Sequence, residues 1–510
     1  MSYSTYLCLT MATLLSAPPG HAEDSAGGDP ALADVLEPVL ERLRTLIDRL
    51  RRESVSARVI ASFERELQHV VRELGRVVTE WTYNHLEPAV AQALPSQVRY
   101  EGSPYRRLRH KTPQEVSTLF GPIRLLRFGY RSTPAVGAPV LFPLCRLLGL
   151  VHGATPAVVE RVAHYQAETG ATQRQTLARL RREHGLHWGV KRLRQVTEFV
   201  AAAMQGHRAP SQAEQVLTWL AQAQASPGRH RPVLSVGRDG ITLGVRLQHG
   251  WLYEVATTAT LTVHDRRGRR LGTVYLAYPP ELGQETMSTQ LTDLLREILT
   301  RWQGPLPRLS YVTDAGDNET AYYQQVLRRL HHPRTGERLH WFWVVDYYHA
   351  SERLWTMAAA LFRVDKEAWA WARKMQKLLL KPGGVGRVLH SAAALRSRRP
   401  LRGQRLGEFQ RAYRYLQARR QHLRYAEYRR HGLPIGSGVT EAACKTVYTQ
   451  RLKLSGMRWK KAGAQTILSL RVILLSGVWD QVYKRVLDTL GEVDITTPDQ
   501  LHGSACSEVA

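Results

Sequence analysis

Cysteine is nearly missing from this chain: Cys8, Cys145, Cys444 and Cys506 are the four among 510 residues, all far apart. No two are spaced Cys-x-x-Cys, which argues against a zinc ribbon or a disulfide scaffold and for a reducing compartment. Long apolar runs are missing too, and none approaches the ~18–20 residues that a membrane helix needs. There is no Gly-Lys dipeptide, so there is no Walker A loop, and ATP-driven chemistry lacks its usual phosphate cradle. His-Glu-x-x-His and Gly-x-Ser-x-Gly are absent as well. Acids are in deficit, with 44 Asp and Glu against 71 Lys and Arg, a net charge of +27. The hydrophobic fraction of 43% is that of a chain with real cores, so the excess is not a disordered basic tail. It calls for a polyanionic partner, nucleic acid first and an anionic membrane surface second.

What is there divides into segments, and the length suits about three domains. Residues 1–29 read as a disordered leader. Tyr6–Ala17 faintly resembles a secretory h-region, but no Lys or Arg precedes it, and a start codon set too far upstream explains it equally well. Over 30–95, Leu32, Leu36, Val39, Leu43, Leu46 and Leu50 step by four and three, as do Ile60, Phe63, Leu67, Val70, Leu74, Val77 and Trp81. This seam predicts either a helical hairpin within the chain or a coiled-coil dimer contact. Residues 96–150 read as short basic strands. Three helical pieces, 155–169, 172–184 and 189–205, fill a helix-turn-helix-like segment, 151–208. Its basic residues include Arg179, Arg182, Lys191 and Arg192. A linker with one short helix is expected over 206–231.

From 232 the period changes. Strands end at an acid three times: Pro232–Asp239, Arg308–Asp314 and Trp341–Asp346. Two further strands lie near 252–264 and 271–278, and helices near 285–302 and 318–331. The order over 232–350 is β-β-β-α-β-α-β-α, an α/β pattern with a mixed sheet, and it matches the ribonuclease-H-like fold. A basic helical insertion, 351–430, follows and carries Arg414 and Arg420. Residues 431–490 hold a helix bearing Glu441, Cys444, Lys445, Tyr448 and Arg451, with Ser437 as its expected N-cap, and a last helix over 461–487. Between them, Arg458 and Lys460 lie in a basic-aromatic turn. The tail, 491–510, reads as loose.

In a ribonuclease-H-like sheet the first and fourth strands are neighbours, so Asp239 and Asp314 are expected side by side, with Glu441 brought to them from its helix. Clustered carboxylates repel unless cations neutralise them, and hard oxygen donors suit Mg²⁺. Two such ions could activate a nucleophilic oxygen and stabilise the leaving oxygen of a phosphodiester, with basic surroundings holding the backbone. Asp317 is the nearest rival to Asp314, which is preferred because it follows the apolar strand directly. Asp346 and His349 are read as support near the acids or as a structural strand-to-helix turn, and Lys445 as either supporting the site or pairing with Glu441.

The stretch beginning LPIGSGVTEAACKTVYTQRLKLSGMRW at 433 and continuing to 480 resembles the C-terminal block of insertion-sequence transposases of the ISKra group. VVDYYHASERLW (344–355) is similar to the block that follows the second acid in those proteins, and to an acid-x-x-His element of Mutator-type transposases. SVGRDGITLGV (235–245) resembles the first-acid block. The resemblance spans roughly 95–480. It implies a bacterial DNA transposase with a DDE triad at Asp239, Asp314 and Glu441. Mg²⁺, with Mn²⁺ as a substitute, would support cleavage at terminal inverted repeats and strand transfer to target DNA. It also implies a homodimer or larger homo-oligomer in the cytoplasm, at the nucleoid, needing neither membrane nor ATP. One departure stands out: relatives usually carry Asp-Gly at the second acid, and this chain reads Asp314-Ala315-Gly316-Asp317. A catalytically silent DNA-binding descendant and a ribonuclease-H-like nuclease without strand transfer are the alternatives.

Overall fold

The computed structural model describes residues 31–133, 137–491 and 495–496. The expected leader, 1–29, lies outside the described residues, as does most of the expected loose tail. The chain divides into two compact units. The first takes the described residues of Met1–Gln166, Ala171–Ala203 and Tyr483–Ala510; the second takes Ala167–Gly170 and Met204–Val482. Among the described residues no single helix is long and apolar enough to cross a membrane.

The first unit opens with α1 (Leu32–Arg52) and α2 (Ala57–Asn84), which pack on each other. Ser56 accepts from the Val59 amide and caps α2. The seam is shallow: Val39, Leu46 and Val77 are its buried members, with Arg49–Glu66 at 2.5 Å tying the helices together. Five strands follow, β1 (Gln97–Tyr100), β2 (Ser103–Arg107), β3 (Thr112–Thr118), β4 (Gly121–Arg127) and β5 (Tyr130–Ser132). β3 and β4 form a hairpin. β1, β2 and β5 form a second sheet, whose β1 also pairs with Ile495–Thr496. The tail is therefore not loose at that point, because Ile495 closes a small apolar cluster with Val98 and Tyr130. Helices α3 (Pro143–Leu147), α4 (Pro156–Ala167), α5 (Gln173–His184) and α6 (Val190–Ala225) come next, the residues of α6 from Met204 on belonging to the second unit. Thr172 and Gln175 make a capping box at the start of α5, and Gly185 at φ +66° ends it. The linker expected over 206–231 is mostly helix instead. α6 continues through Pro210 because Ala213, Val216, Leu220 and Ala223 carry on a buried stripe at helical spacing.

The second unit is built on β6 (Val233–Arg246), β7 (Trp251–His264), β8 (Arg270–Tyr278), α7 (Glu285–Arg301), β9 (Arg308–Thr313), α8 (Asp317–Gln325) and β10 (Trp341–Val345). Its sheet runs β10-β9-β6-β7-β8. The β6-β7-β8 meander is antiparallel, while β9 and β10 add in parallel on the other edge of β6. β6 does not end at Asp239; it runs on to Arg246 against β7. Gly240 and Gly244 look like strand breakers, yet the Tyr253 ring lies where a Cβ on Gly244 would be and covers the gap. Met287, Leu291, Leu294, Leu295 and Ile298 put one face of α7 on the sheet.

After β10 come α9 (Tyr347–Leu361), α10 (Asp365–Leu379), α11 (Gly384–Arg398), α12 (Gly403–Ala418) and α13 (Tyr425–Arg430). The inserted helices share one core with the sheet, through Leu354, Met357, Trp371, Phe409 and Leu416. They also close the sheet's open edge. The Tyr425 hydroxyl donates to the Val345 carbonyl at 3.0 Å, and the Tyr428 hydroxyl to the Trp343 carbonyl at 3.1 Å. Unpaired edge groups of β10 are thereby satisfied. The chain ends with α14 (Gly438–Ala443), a π-helix (Cys444–Thr449), β11 (Trp459–Lys460), α15 (Lys461–Leu475) and α16 (Trp479–Leu490). The single last helix expected over 461–487 is thus two, broken where Gly477 takes φ +67°.

Candidate active site

The registers decide which acids meet. Gly237 pairs with Val312 across β6 and β9, and Thr313 pairs with Val345 across β9 and β10. Continued by one or two residues, these registers put Asp239, Asp314 and Asp346 in one row across three adjacent strands. Neighbouring strands lie about 4.8 Å apart, so the three carboxyl groups start from a shared face.

Their surroundings then separate them. Asp346 is 1% exposed. One of its oxygens accepts the Tyr348 amide at 2.5 Å and the His349 amide at 3.1 Å, capping α9. The other accepts the Ser437 hydroxyl at 2.6 Å and the Ser437 amide. Its oxygens are filled by the protein itself. This also corrects the reading of Ser437. It stands at the N-cap position of α14, but its side chain makes no capping bond because it is spent on Asp346. Asp346 thus acts as a clasp that holds the loop before Glu441 against the end of β10.

Asp239 and Asp314 are far less committed. An oxygen of Asp239 accepts the Gly240 amide at 2.7 Å, and one of Asp314 accepts the Gly316 amide at 3.0 Å. Burial, and then the charge of Asp314, push the Asp239 carboxyl above the ordinary Asp range. The turn after Asp314 is braced by the insertion. Tyr415 donates its hydroxyl to the Asp314 carbonyl at 2.6 Å, and Arg419 donates to the Ala315 carbonyl at 2.7 Å. Ala315 has φ +60°, the left-handed conformation that glycine adopts freely and alanine rarely does. The backbone at 315 is therefore the one an Asp-Gly pair would give. Asp317, the rival acid, is exposed in the first turn of α8.

Helix α14 reaches these acids because Gly237 has no side chain. A Cβ there would lie 1.9 Å from Thr440 Oγ1. Instead Thr440 and Thr260 share a hydrogen bond of 2.7 Å. Gly237 and Asp239 are two residues apart, so α14 packs on the face that carries the Asp239 carboxyl. Cys444, at the start of the π-helix, sits against Asp239: its thiol favours the charged carboxylate, while burial first and then the charge of Asp239 drive the thiol upward. Arg471 braces the π-helix by donating to the Thr446 carbonyl at 2.7 Å. π-helical turns concentrate at functional sites.

Glu441 lies one turn before Cys444 and is exposed. It does not close on the aspartates: among the described residues no three of His, Cys, Asp and Glu converge enough to hold a metal ion. Asp239 and Asp314 supply the paired hard oxygens that Mg²⁺ prefers, and Glu441 stands on the adjoining helix. His349 is half-buried, 3.3 Å from Glu352 through Nδ1, and helps keep Asp239 charged. Lys445 is exposed.

One acid escaped the sequence reading. Glu319, in the first turn of α8, is 8% exposed. A Cβ on Gly316 would lie 2.5 Å from Glu319 Oε2 and 3.4 Å from Asp314 Oδ1, so Glu319 is packed beside the second acid. Burial, then Asp314 and to a lesser degree Asp239, push its carboxyl up to about 7.

The expected DNA-binding cations fall into two groups. Arg182, Lys191, Arg414, Arg420, Arg458 and Lys460 are exposed. Three others are turned inward. Arg179 lies over the Tyr165 ring and pairs with Glu183 at 3.3 Å. Arg192 donates to the His152 and Gly153 carbonyls and stacks on Trp188. Arg451 is 1% exposed beside Trp459, and burial lowers its guanidinium to about 10. Each of these guanidinium groups is engaged within the fold, and Arg451 alone is fully buried.

Compared with known protein families and with curated proteins, the chain matches none.

Proposed function

We propose that the protein is a DNA transposase with a ribonuclease-H-like catalytic domain. It would bind terminal inverted repeats and carry out Mg²⁺-dependent cleavage and strand transfer. The observation that carries this reading is the pairing of Asp239 and Asp314 in one row, with α14 packed onto their face at Gly237. The three-strand meander extended in parallel on its first strand, and the net charge of +27, are in keeping with it. So is the resemblance to ISKra-group transposases. Asp239 and Asp314 would hold the metal, Mg²⁺ or Mn²⁺, and Glu441 would complete its shell from α14. When bound, the metal supplies an activated nucleophilic oxygen and charge stabilisation at the phosphorus. The protein's own part is to keep two carboxylates poorly satisfied and adjacent. The Asp346–Ser437 clasp and the Gly237–Thr440 contact hold the third acid's helix nearby. Exposed Arg182, Lys191, Arg414, Arg420, Arg458 and Lys460 would grip phosphates, in a homodimer or larger assembly that pairs two ends.

Incubation with Mg²⁺ and end-bearing DNA should yield cleaved and joined products, and binding should weaken steeply as salt rises. Robust cleavage by an Asp239→Ala, Glu441→Ala double variant would overturn the assignment. Cleavage without joined products would instead mark a nuclease on the same fold. The separation of Glu441 from the aspartates favours one competing reading, a DNA-binding protein that no longer cuts. Specific binding with no product under several divalent metals would support it.

A further inference from the structure

The β6–β7 hairpin extends beyond β8 and β9 and ends in a tight tip, where the Leu247 amide donates to the Gly250 carbonyl at 3.0 Å. Near that tip two large aromatic side chains face solvent. Trp251 is 43% exposed and Tyr253 is 69% exposed, their rings stacked at 6.1 Å between centroids. Tyr253 is not loosely placed. Its partner across the hairpin is Gly244, and a Cβ there would lie 2.7 Å from its ring, so the ring packs against the bare backbone of Gly244. The ring is held on that side, and most of the side chain remains exposed to solvent.

What surrounds the pair is cationic. Arg246 pairs with Trp251 across the hairpin, and Lys460 pairs with Arg246 from β11. Paired residues share a face of the sheet. One row therefore reads Lys460, Arg246, Trp251, and the next reads Gly244, Tyr253. Thr242, exposed, continues the same face. Two positive side chains beside two stacked, solvent-facing rings form the pattern that holds an unpaired strand: bases stack on the rings and phosphates meet the cations. Duplex DNA offers phosphates but keeps its base faces stacked inside, so it could use the cations but not the rings.

We propose that this hairpin carries a stacking surface for single-stranded DNA, with bases on Trp251 and Tyr253 and phosphates on Arg246 and Lys460. The proposal rests on DNA being the partner, and it deepens that reading by naming the form of DNA taken. The surface is separate from the acids. Arg246 is about 23 Å along the strand from Asp239, at ~3.3 Å per residue, and on the opposite face.

The test uses the full chain without divalent metal, so it remains readable whether or not the protein cuts. Labelled oligothymidylate, oligouridylate and a duplex are titrated against wild type, Trp251→Ala/Tyr253→Ala and Trp251→Phe/Tyr253→Phe. The alanine pair should weaken oligothymidylate binding about tenfold or more and duplex binding by less than about twofold. The phenylalanine pair should retain most of the affinity with the same melting temperature. In Arg246→Gln/Lys460→Gln, the salt dependence of oligothymidylate binding should fall by about 0.7 in slope per cation removed. Unchanged oligothymidylate affinity in the alanine pair, equal loss for strand and duplex, tighter binding of the RNA, or an unchanged salt slope would each overturn the proposal.

Discussion

Asp314 and Asp346 occupy the same place at the ends of adjacent parallel strands, one register step after Thr313 and Val345, yet they are put to opposite uses. Asp346 is sealed by two amides of its own helix and by the amide and hydroxyl of Ser437. Asp314 receives one amide, from Gly316, and lies next to Asp239 and Glu319. A buried carboxylate with full hydrogen bonding strengthens a fold. One left with free oxygen positions can take a cation as a partner. The contrast teaches that position at a strand end makes an acid eligible for chemistry, and that its unmet demand for partners makes it a candidate.

The sharpest way to break this contrast is to remove each acid in turn. Asp346→Ala should destabilise the protein by about 3–5 kcal/mol, since it leaves buried donors from two chain segments unpaired. Chemical denaturation would measure it. Asp314→Asn should leave stability within about 1 kcal/mol while lowering metal-dependent cleavage about 1000-fold or more. Equal stability losses in the two variants would dissolve the distinction.

A second effect concerns pH. Glu319 is held at about 7 in the folded chain against 4.5 ordinarily. The folded state therefore binds this proton more tightly than the unfolded chain does. Its contribution is fully present below about 4.5 and is lost as pH rises to about 7, a change of roughly 3 kcal/mol. Metal-free protein should show a falling melting temperature over that window, and Glu319→Gln should flatten the fall. A profile unaffected by Glu319→Gln would show that the charge crowding lies elsewhere.

Gly237→Ala comes next in size. The new methyl meets Thr440 and must push α14 off the sheet, at about 1–3 kcal/mol. Cleavage should fall with it, while affinity for DNA is retained, and Thr440→Ala in the same chain should restore part of the activity. The smallest expected effect is Ala315→Gly, which relieves a left-handed alanine and should raise stability by up to about 1 kcal/mol with activity kept.

Much of the arrangement was legible in the chain because apolar strands closing on an acid are conspicuous. Asp239, Asp314 and Asp346 were each readable in that way, as was the alternation of helices and strands after the meander. The length of β6 was not, because Gly240 and Gly244 carry no sign of the aromatic ring that covers one of them. Glu319 was missed because an acid in the first turn of a helix is ordinary there, and its burial depends on α8 packing back over its own strand end. Arg179, Arg192 and Arg451 looked like surface cations for a similar reason: spacing counts charges but does not say which guanidinium lies over a ring. The clasp between Asp346 and Ser437 joins residues 91 positions apart, beyond the reach of any local pattern.

That separation bears on how the protein is made. The ribosome releases Asp239, Asp314 and Asp346 long before it releases Ser437 and Glu441. Closing a loop of this length carries an entropy cost, which the packing of the inserted helices into the shared core helps offset. Translation that stops short of residue 437 leaves the Asp346 carboxylate buried with half its donors missing. Synthesis and assembly are thus ordered in time: Glu441 arrives with the hook that fastens the loop before it.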